Sequence, residues 1–340
     1  MIFMAAALAM ATSAFAAPQP FAEGWLEQLR QDARRSGVSE KTIKDKLYNI
    51  SPMNKFPDRN EQAEFRPKDT LDDYLRPRVT TKNIAKGRAF MEQYADDLHK
   101  LEKKYGVSPQ YIMAIWALET RFGGYTGKED VITSLVTLAR DHANVKKRDY
   151  FRSEAIAALK LIDAGYDEVR GKGSWAGAMG QPQFMPSNVE KYAIDLNGDG
   201  KKDIWNDKRE VFASISNYLA KSRLGGWQAG QRWGREVKLP PGFNKKMLTN
   251  KLANQTLKTP NGWKKLGVKQ ANGNALPRED KMKGMLIAPD GIHGRIFLVY
   301  NNFKSVMGYN SSYKYALSVS LLADAIASRP PQPAPAPGLN

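Results

Sequence analysis

Tyr111-Ile-Met-Ala-Ile-Trp-Ala-Leu-Glu-Thr-Arg-Phe-Gly-Gly124 is an apolar run interrupted by one acid, Glu119. Read at helical period, Glu119 shares a face with Ile112, Ile115 and Trp116, which puts a carboxyl group on an apolar stripe. Ser108 and Pro109 supply an N-cap and a first helical residue, and Gly123-Gly124 supplies the stop, so Glu119 falls in the last turn. Orphan carbonyls, the negative end of the helix dipole and desolvation oppose ionisation there, so a raised pKa is expected. A carboxylic acid that keeps its proton at neutral pH is what a glycosidase uses to protonate a leaving glycosidic oxygen. The run alone also admits a Glu119 that reaches solvent or pairs with Arg121.

Outward from this helix, Gly173-Ser-Trp-Ala-Gly-Ala-Met-Gly-Gln-Pro-Gln-Phe-Met-Pro-Ser187 crowds glycine, proline, amide and hydroxyl groups into a stretch with no helical or strand period. Such a loop lets backbone approach a ligand closely, and it ends at a fresh helix start. Asp195-Leu-Asn-Gly-Asp-Gly200 and Gly308-Tyr-Asn-Ser-Ser-Tyr-Lys-Tyr-Ala316 follow. With Glu-Thr-Arg-Phe-Gly, these motifs in this order resemble the lytic murein transglycosylase B family of bacterial cell-wall enzymes, from about residue 21 to about residue 328. The resemblance implies a mainly α (α+β) fold, a lysozyme-like catalytic core with a helical domain and a small β-containing domain. Sequence pattern by itself gives mostly α with a minor β region.

Composition sets the outer bounds. A chain of 340 residues, 42% hydrophobic and 26% charged, buries a sizeable core as one large domain or two to three subdomains. The 52 Lys and Arg against 35 Asp and Glu leave +17, which points to a polyanionic partner: nucleic acid, an anionic membrane surface, or a wall polymer bearing carboxylates. Residues 1–11 are almost wholly apolar, and Ala14-Phe15-Ala16 after them resembles a signal-peptidase site, so residues 1–16 read as a signal peptide and the destination as the periplasm. No Lys or Arg precedes the run, which points to a truncated or unusual start. Export and the lack of a recognition motif argue against nucleic acid. The apolar stretch is too short for a transmembrane segment, and the absence of cysteine removes lipid attachment, disulfides and thiolate metal sites.

Within the expected catalytic region, residues 17–328, helical periodicity dominates from about 21 to 234. Met91, Tyr94, Leu98, Leu101 and Tyr105 predict one amphipathic helix; residues 151–162 predict another, and residues 211–219 a third with Phe212, Ile215 and Leu219 inward. Residues 235–303 form the β-containing part, broken by Pro240-Pro241-Gly242, Asn261-Gly262 and Asn272-Gly273, with Gly294–Tyr300 as the best strand. A closing helix is expected at 312–327 and a disordered proline-rich tail at 329–340.

In the family that this chain resembles, a single glutamate, matched here by Glu119, donates a proton to the leaving sugar and then removes the proton of the muramoyl C6 hydroxyl. Asp130, Asp141 and Asp149 could supply a second carboxylate, but no apolar stripe holds them, and they read as surface or capping residues. By family motif, Ser174, Gln183, Tyr150, Tyr218, Tyr309, Asn310 and Tyr315 line the substrate cleft. Ser174 could equally stabilise its loop, tyrosines at helical spacing such as Tyr218 and Tyr315 are more often core, and Tyr74 is placed by spacing only.

Asp195, Asn197 and Asp199, with the Lys201 carbonyl, reproduce the first half of an EF-hand calcium loop. Its twelfth position is Asn206; the resemblance implies a lengthened loop in which Glu210, with Asp207 behind it, supplies the late carboxylate. A metal-free Asp/Gly turn is the alternative. Structural Ca2+ would brace the cleft, and no cofactor is required for the chemistry. The expected activity is cleavage of the β-1,4 bond between N-acetylmuramic acid and N-acetylglucosamine with formation of a 1,6-anhydro end. Expected partners are peptidoglycan glycan strands and proteins of cell-wall synthesis or degradation. A muramidase on the same scaffold and a non-catalytic wall-binding protein are the alternatives.

Overall fold

A computed structural model describes residues 19–53, 69–248 and 255–328; the expected signal peptide and proline-rich tail lie outside them. The chain opens with α1 (Glu23–Arg35) and α2 (Glu40–Leu47), then α3 (Leu71–Leu75), where Thr70 and Asp73 make a reciprocal capping box. Next come α4 (Thr81–Gln93), α5 (Ala95–Tyr105) and α6 (Pro109–Thr120). The run from Met91 to Tyr105 is therefore not one helix. The backbone breaks at Tyr94 (φ −113°, ψ 27°), whose ring packs on Phe90 and Phe212, and Asp96 and Asp97 suit the first turn of a new helix.

A two-residue strand β1 (Glu129–Asp130) leads into α7 (Val131–Asp141), which lies along α8 (Val145–Asp163). Strand β2 (Lys172–Gly173) returns to pair antiparallel with β1, a ladder too short for any period in the sequence to announce. Helices α9 (Pro186–Tyr192) and α10 (Lys208–Ala220) complete this part.

The β-containing part comprises β3 (Gly234–Lys238), α11 (Pro260–Lys265), β4 (Lys269–Gln270), β5 (Met285–Ile287) and β6 (Ile296–Val299). The strands form one antiparallel sheet in the order β4-β3-β6-β5, with Glu236 opposite Phe297 and Met285 opposite Val299. Leu298 and Leu286 pack on Trp263 and Val237 in a small core of their own, whereas Phe297, Val299, Met285 and Ile287 join the main helical core. Both sheet faces are covered, which is why β6 reads as an unbroken apolar run rather than an alternating one.

The described residues end in α12 (Asn301–Tyr309) and α13 (Tyr313–Ala327), the latter packed on α6 and α4. Helix α6 is thus ringed by α4, α5, α10 and α13, and every residue from Tyr111 to Ala117 is buried. This corrects the expected stripe: α6 is apolar all round, as a central helix must be. Leu118 and Glu119 are half-buried, and Thr120 after them is buried again. Among the described residues no helix is long and apolar enough to cross a membrane.

Candidate active site

Helix α6 ends in three consecutive left-handed residues, Arg121, Phe122 and Gly123, with φ of 54°, 62° and 78°. Two of these are not glycine, and each costs on the order of 1 kcal/mol. Packing offsets that strain: the Arg121 and Phe122 amides donate to the Ala117 and Trp116 carbonyls at 3.0 and 3.1 Å, and the buried Phe122 ring meets Trp116 edge-on at 5.3 Å.

Gln181, a residue the sequence reading did not single out, pins this turn to the glycine-rich loop. Its Oε1 accepts from the Trp116 indole N–H at 2.8 Å, and its Nε2 donates to the Trp205 carbonyl at 2.7 Å. Thr120 Oγ1 donates to the Gln181 carbonyl at 2.8 Å, and the Gln181 amide donates to the Ile204 carbonyl at 2.9 Å. A side chain at Gly123 would come within 2.4 Å of Gln181 Oε1, so this contact needs glycine. The only sequence signal was an amide among small residues.

Glu119 opens onto a cavity of about 610 Å³ that is also lined by Ser174, Gln183, Tyr309, Asn310 and Lys314. A second cavity of about 380 Å³ shares Glu119, Ser174, Trp175 and Gln183 and continues past Tyr125 and Glu129. The two make one groove over Glu119. The Tyr315 hydroxyl, buried behind the wall, donates to Glu119 Oε1.

The predicted cleft residues divide into wall and backing. Ser174 lines both cavities while also closing its own loop, its Oγ accepting from the Ala178 amide at 3.0 Å. Gln183 takes φ of 51° and commits its Nε2 to the Thr126 and Gly180 carbonyls at 2.9 and 3.0 Å. Tyr309 donates to the Pro182 carbonyl at 2.5 Å, and Asn310 Oδ1 accepts from the Ser312 amide at 3.1 Å. Tyr218 and Tyr315 stand in the backing, because each sits on a helix face turned to the core. Tyr218 donates to the Gly308 carbonyl at 2.8 Å and packs between Tyr192 and Tyr309, with centroids 4.4 and 4.6 Å away. Tyr150 is exposed on α8, hydrogen-bonded to Glu154, and lines neither cavity. Tyr74 is buried beneath a stacked Arg78 guanidinium, 3.6 Å from its ring centroid.

Burial, then the nearby Glu119 charge, pushes the Tyr309 and Tyr315 hydroxyls well above the ordinary tyrosine range. Burial, with Tyr192 beside it, pushes Tyr218 up to about 12. All three remain donors at neutral pH.

Asp130 caps α7 by accepting from the Thr133 amide at 2.7 Å, Asp141 pairs with Arg140 at 2.6 Å, and Asp149 is exposed. None lines the groove. The carboxyl that does, Glu129, was passed over; only its pairing opposite Gly173 in the β1–β2 ladder carries it there.

In the Asp195–Gly200 loop the oxygen donors suit a hard cation by kind. They do not converge as a cage: among the described residues no three acidic or histidine side chains gather to hold a metal. Asp195 accepts from the Gly198 and Gly200 amides at 2.7 and 2.9 Å, and the Asn197 and Asp199 side chains accept from the Asp199 and Lys201 amides, each at 2.8 Å. Glu210 is fully buried and receives the Leu196, Asn197 and Asp203 amides at 2.7, 3.3 and 2.6 Å. Asp207 caps α10.

A helical core, a small sheet beside it and an acid at the end of a buried helix inside a groove define a lysozyme-like glycan-cleaving scaffold. The chain belongs to the Transglycosylase SLT domain family, whose profile matches residues 21–324. It is similar to membrane-bound lytic murein transglycosylase B of Escherichia coli K12, 32% identical over 260 residues, 75% of this chain and 66% of that protein's length. Among solved structures it is similar to SltB3 of Pseudomonas aeruginosa in complex with NAG-anhNAM-pentapeptide (TM-score 0.77, 35% identity, 89% of this chain and 79% of that one). It is also similar to the Escherichia coli lytic transglycosylase Slt35 in complex with calcium (TM-score 0.71, 26% identity, 89% and 92% covered).

Proposed function

We propose that this protein is a peptidoglycan lytic transglycosylase that cleaves the β-1,4 bond between N-acetylmuramic acid and N-acetylglucosamine, with Glu119 as acid and then base. The observation that carries this reading is that Glu119 is the carboxyl shared by both halves of the groove, held there by a buried tyrosine hydroxyl. Protonated Glu119 gives its proton to the leaving C4 oxygen of N-acetylglucosamine as that bond to the muramoyl C1 breaks. The resulting carboxylate takes the proton of the muramoyl C6 hydroxyl while its oxygen bonds to C1, closing a 1,6-anhydro ring. The attacking group belongs to the substrate and is already at high effective concentration. Ser174, Gln183, Tyr309 and Asn310 supply polar contacts along the wall, and Tyr218 and Tyr315 hold that wall from behind.

One observation favours a second reading. Glu129 lines the second cavity, and a carboxylate there could activate water and make the enzyme a muramidase. Digestion of purified peptidoglycan in oxygen-18 water separates the two. Transglycosylation gives unlabelled products one water lighter that resist borohydride; labelled, reducible ends would establish hydrolysis.

Calcium is proposed as a structural ion at the Asp195–Gly200 loop; Asp195, Asn197, Asp199 and Glu210 would hold it, with the Lys201 carbonyl, only by exchanging the amide partners that their side chains now accept from. The support is three oxygen-bearing side chains on one exposed turn, together with the calcium complex of Slt35. Action in the periplasm is proposed from the Ala14-Phe15-Ala16 pattern.

A further inference from the structure

A separate cavity of about 550 Å³ opens between the end of α6 and the start of α4, and it shares no lining residue with the groove over Glu119. Arg78, Lys82, Lys86 and Arg121 line it, and no acidic residue does. Elsewhere on the surface cations find carboxylates, as Arg34 does with Glu40, Arg152 with Asp32 and Arg295 with Glu236. None of the four cavity cations makes such a pair among the described residues. Two of them are braced all the same. The Arg78 guanidinium lies 3.6 Å from the Tyr74 ring centroid, its Nη1 donates to the Tyr74 carbonyl at 2.8 Å, and the Arg78 carbonyl accepts from Asn83 Nδ2 at 2.8 Å. The Lys86 ammonium stands 5.1 Å from the Phe122 ring centroid and 5.6 Å from that of Phe90. Arg121 reaches the cavity from a left-handed backbone with φ of 54°, a conformation that only glycine adopts without strain.

Four like charges around one cavity repel one another unless an anion joins them. These four come from three elements: Arg78 from the segment before α4, Lys82 and Lys86 from α4, and Arg121 from the turn after α6. Helix α4 adds the positive end of thirteen residues, and its N-cap Thr80 lines the cavity. A carboxylate has a single charge and its oxygens in one plane, so it meets donors from one side. A phosphate monoester has about two charges and three acceptor oxygens set tetrahedrally, so it meets donors from several directions at once. The floor is apolar, made by Pro77, Ala117, Leu118 and Phe122, and an organic group on the phosphate would cover it. We propose that this cavity binds a phosphate monoester, with the phosphate among Arg78, Lys82, Lys86 and Arg121 and the organic part against Leu118 and Phe122. A soluble ester and a lipid headgroup present the same chemistry to it. The proposal stands apart from the peptidoglycan reading above.

Titration calorimetry at matched ionic strength tests it with phenyl phosphate, inorganic phosphate and succinate on wild type, Lys82→Ala and Lys82→Ala/Lys86→Ala. Both positions are exposed, and melting curves identify any variant that fails to fold, in which case the single variant carries the comparison. Phenyl phosphate should bind about tenfold more tightly than inorganic phosphate, the worth of covering on the order of 50 Å² of apolar floor. The single variant should weaken phenyl phosphate about fivefold and the double about 30-fold, as expected for losing one or two exposed ion pairs. Succinate should not displace it. Sedimentation with phosphatidylcholine vesicles, with and without phosphatidic acid, separates the two sources. Vesicle binding that needs phosphatidic acid, is lost in the double variant and is reversed by phenyl phosphate assigns a lipid headgroup; phenyl phosphate binding without vesicle binding assigns a soluble ester. No binding of phenyl phosphate, equal binding by wild type and the double variant, or displacement by succinate as strong as by inorganic phosphate would each overturn the proposal.

Discussion

Replacing Gln181 by leucine tests whether one buried amide holds the groove together. Leucine keeps most of the volume and removes both side-chain hydrogen bonds: the Trp116 indole N–H loses its acceptor at 2.8 Å and the Trp205 carbonyl loses its donor at 2.7 Å. Trp116 is fully buried, so water does not replace the acceptor. Stranding a buried polar group costs about 1–3 kcal/mol, so the two together cost about 2–6 kcal/mol. At roughly 2–4 °C per kcal/mol for a large domain, thermal unfolding should move down by at least about 4 °C and by as much as about 24 °C. Turnover should fall as well, because Trp116 is one turn before Glu119 and a misplacement of about 1 Å at a reacting group is worth about 100-fold. Calorimetry and turnover on peptidoglycan read both effects. A Gln181→Leu protein that melts within about 2 °C of the parent and turns over at its rate would refute the pinning argument.

Three further outcomes are expected. Glu119→Gln should lower turnover by on the order of 10³ or more while leaving the melting temperature unchanged, since the amide keeps the shape without a transferable proton; more than about a tenth of parental activity would remove Glu119 from its role. Tyr315→Phe should lower kcat by about 10- to 100-fold, the worth of one hydrogen bond to a charged group, with KM unchanged because Tyr315 stands behind the cavity wall; a change in KM alone would make it a substrate contact instead. Added calcium should raise the melting temperature of the parent and not of Asp195→Ala, whereas identical curves with calcium and with chelator would leave the Asp195–Gly200 loop a self-contained turn closed by its own amides.

What the sequence determined by itself was local. Pro109 at the first turn set the start of α6, whose end falls at a left-handed Arg121 ahead of the expected Gly123-Gly124 stop; Ser312 set the start of α13, and proline and glycine breaks marked out the β-containing part. These are short-range effects of φ restriction and end-group capping, written in neighbouring residues. The order of four motifs carried the family, because each answers to a local geometry of its own. Tertiary structure decided the rest. It bent the chain at Tyr94, where aromatic packing outweighed an unbroken period, and it made α6 a central helix rather than a striped one. It selected Gln181 as the pin, Glu129 as a second groove carboxyl, and Tyr218 and Tyr315 as backing rather than wall. It also gathered Arg78, Lys82, Lys86 and Arg121 around one cavity. Each of these depends on groups far apart in the chain meeting in space, and side-chain periodicity reports only which way a residue faces, not what it meets there.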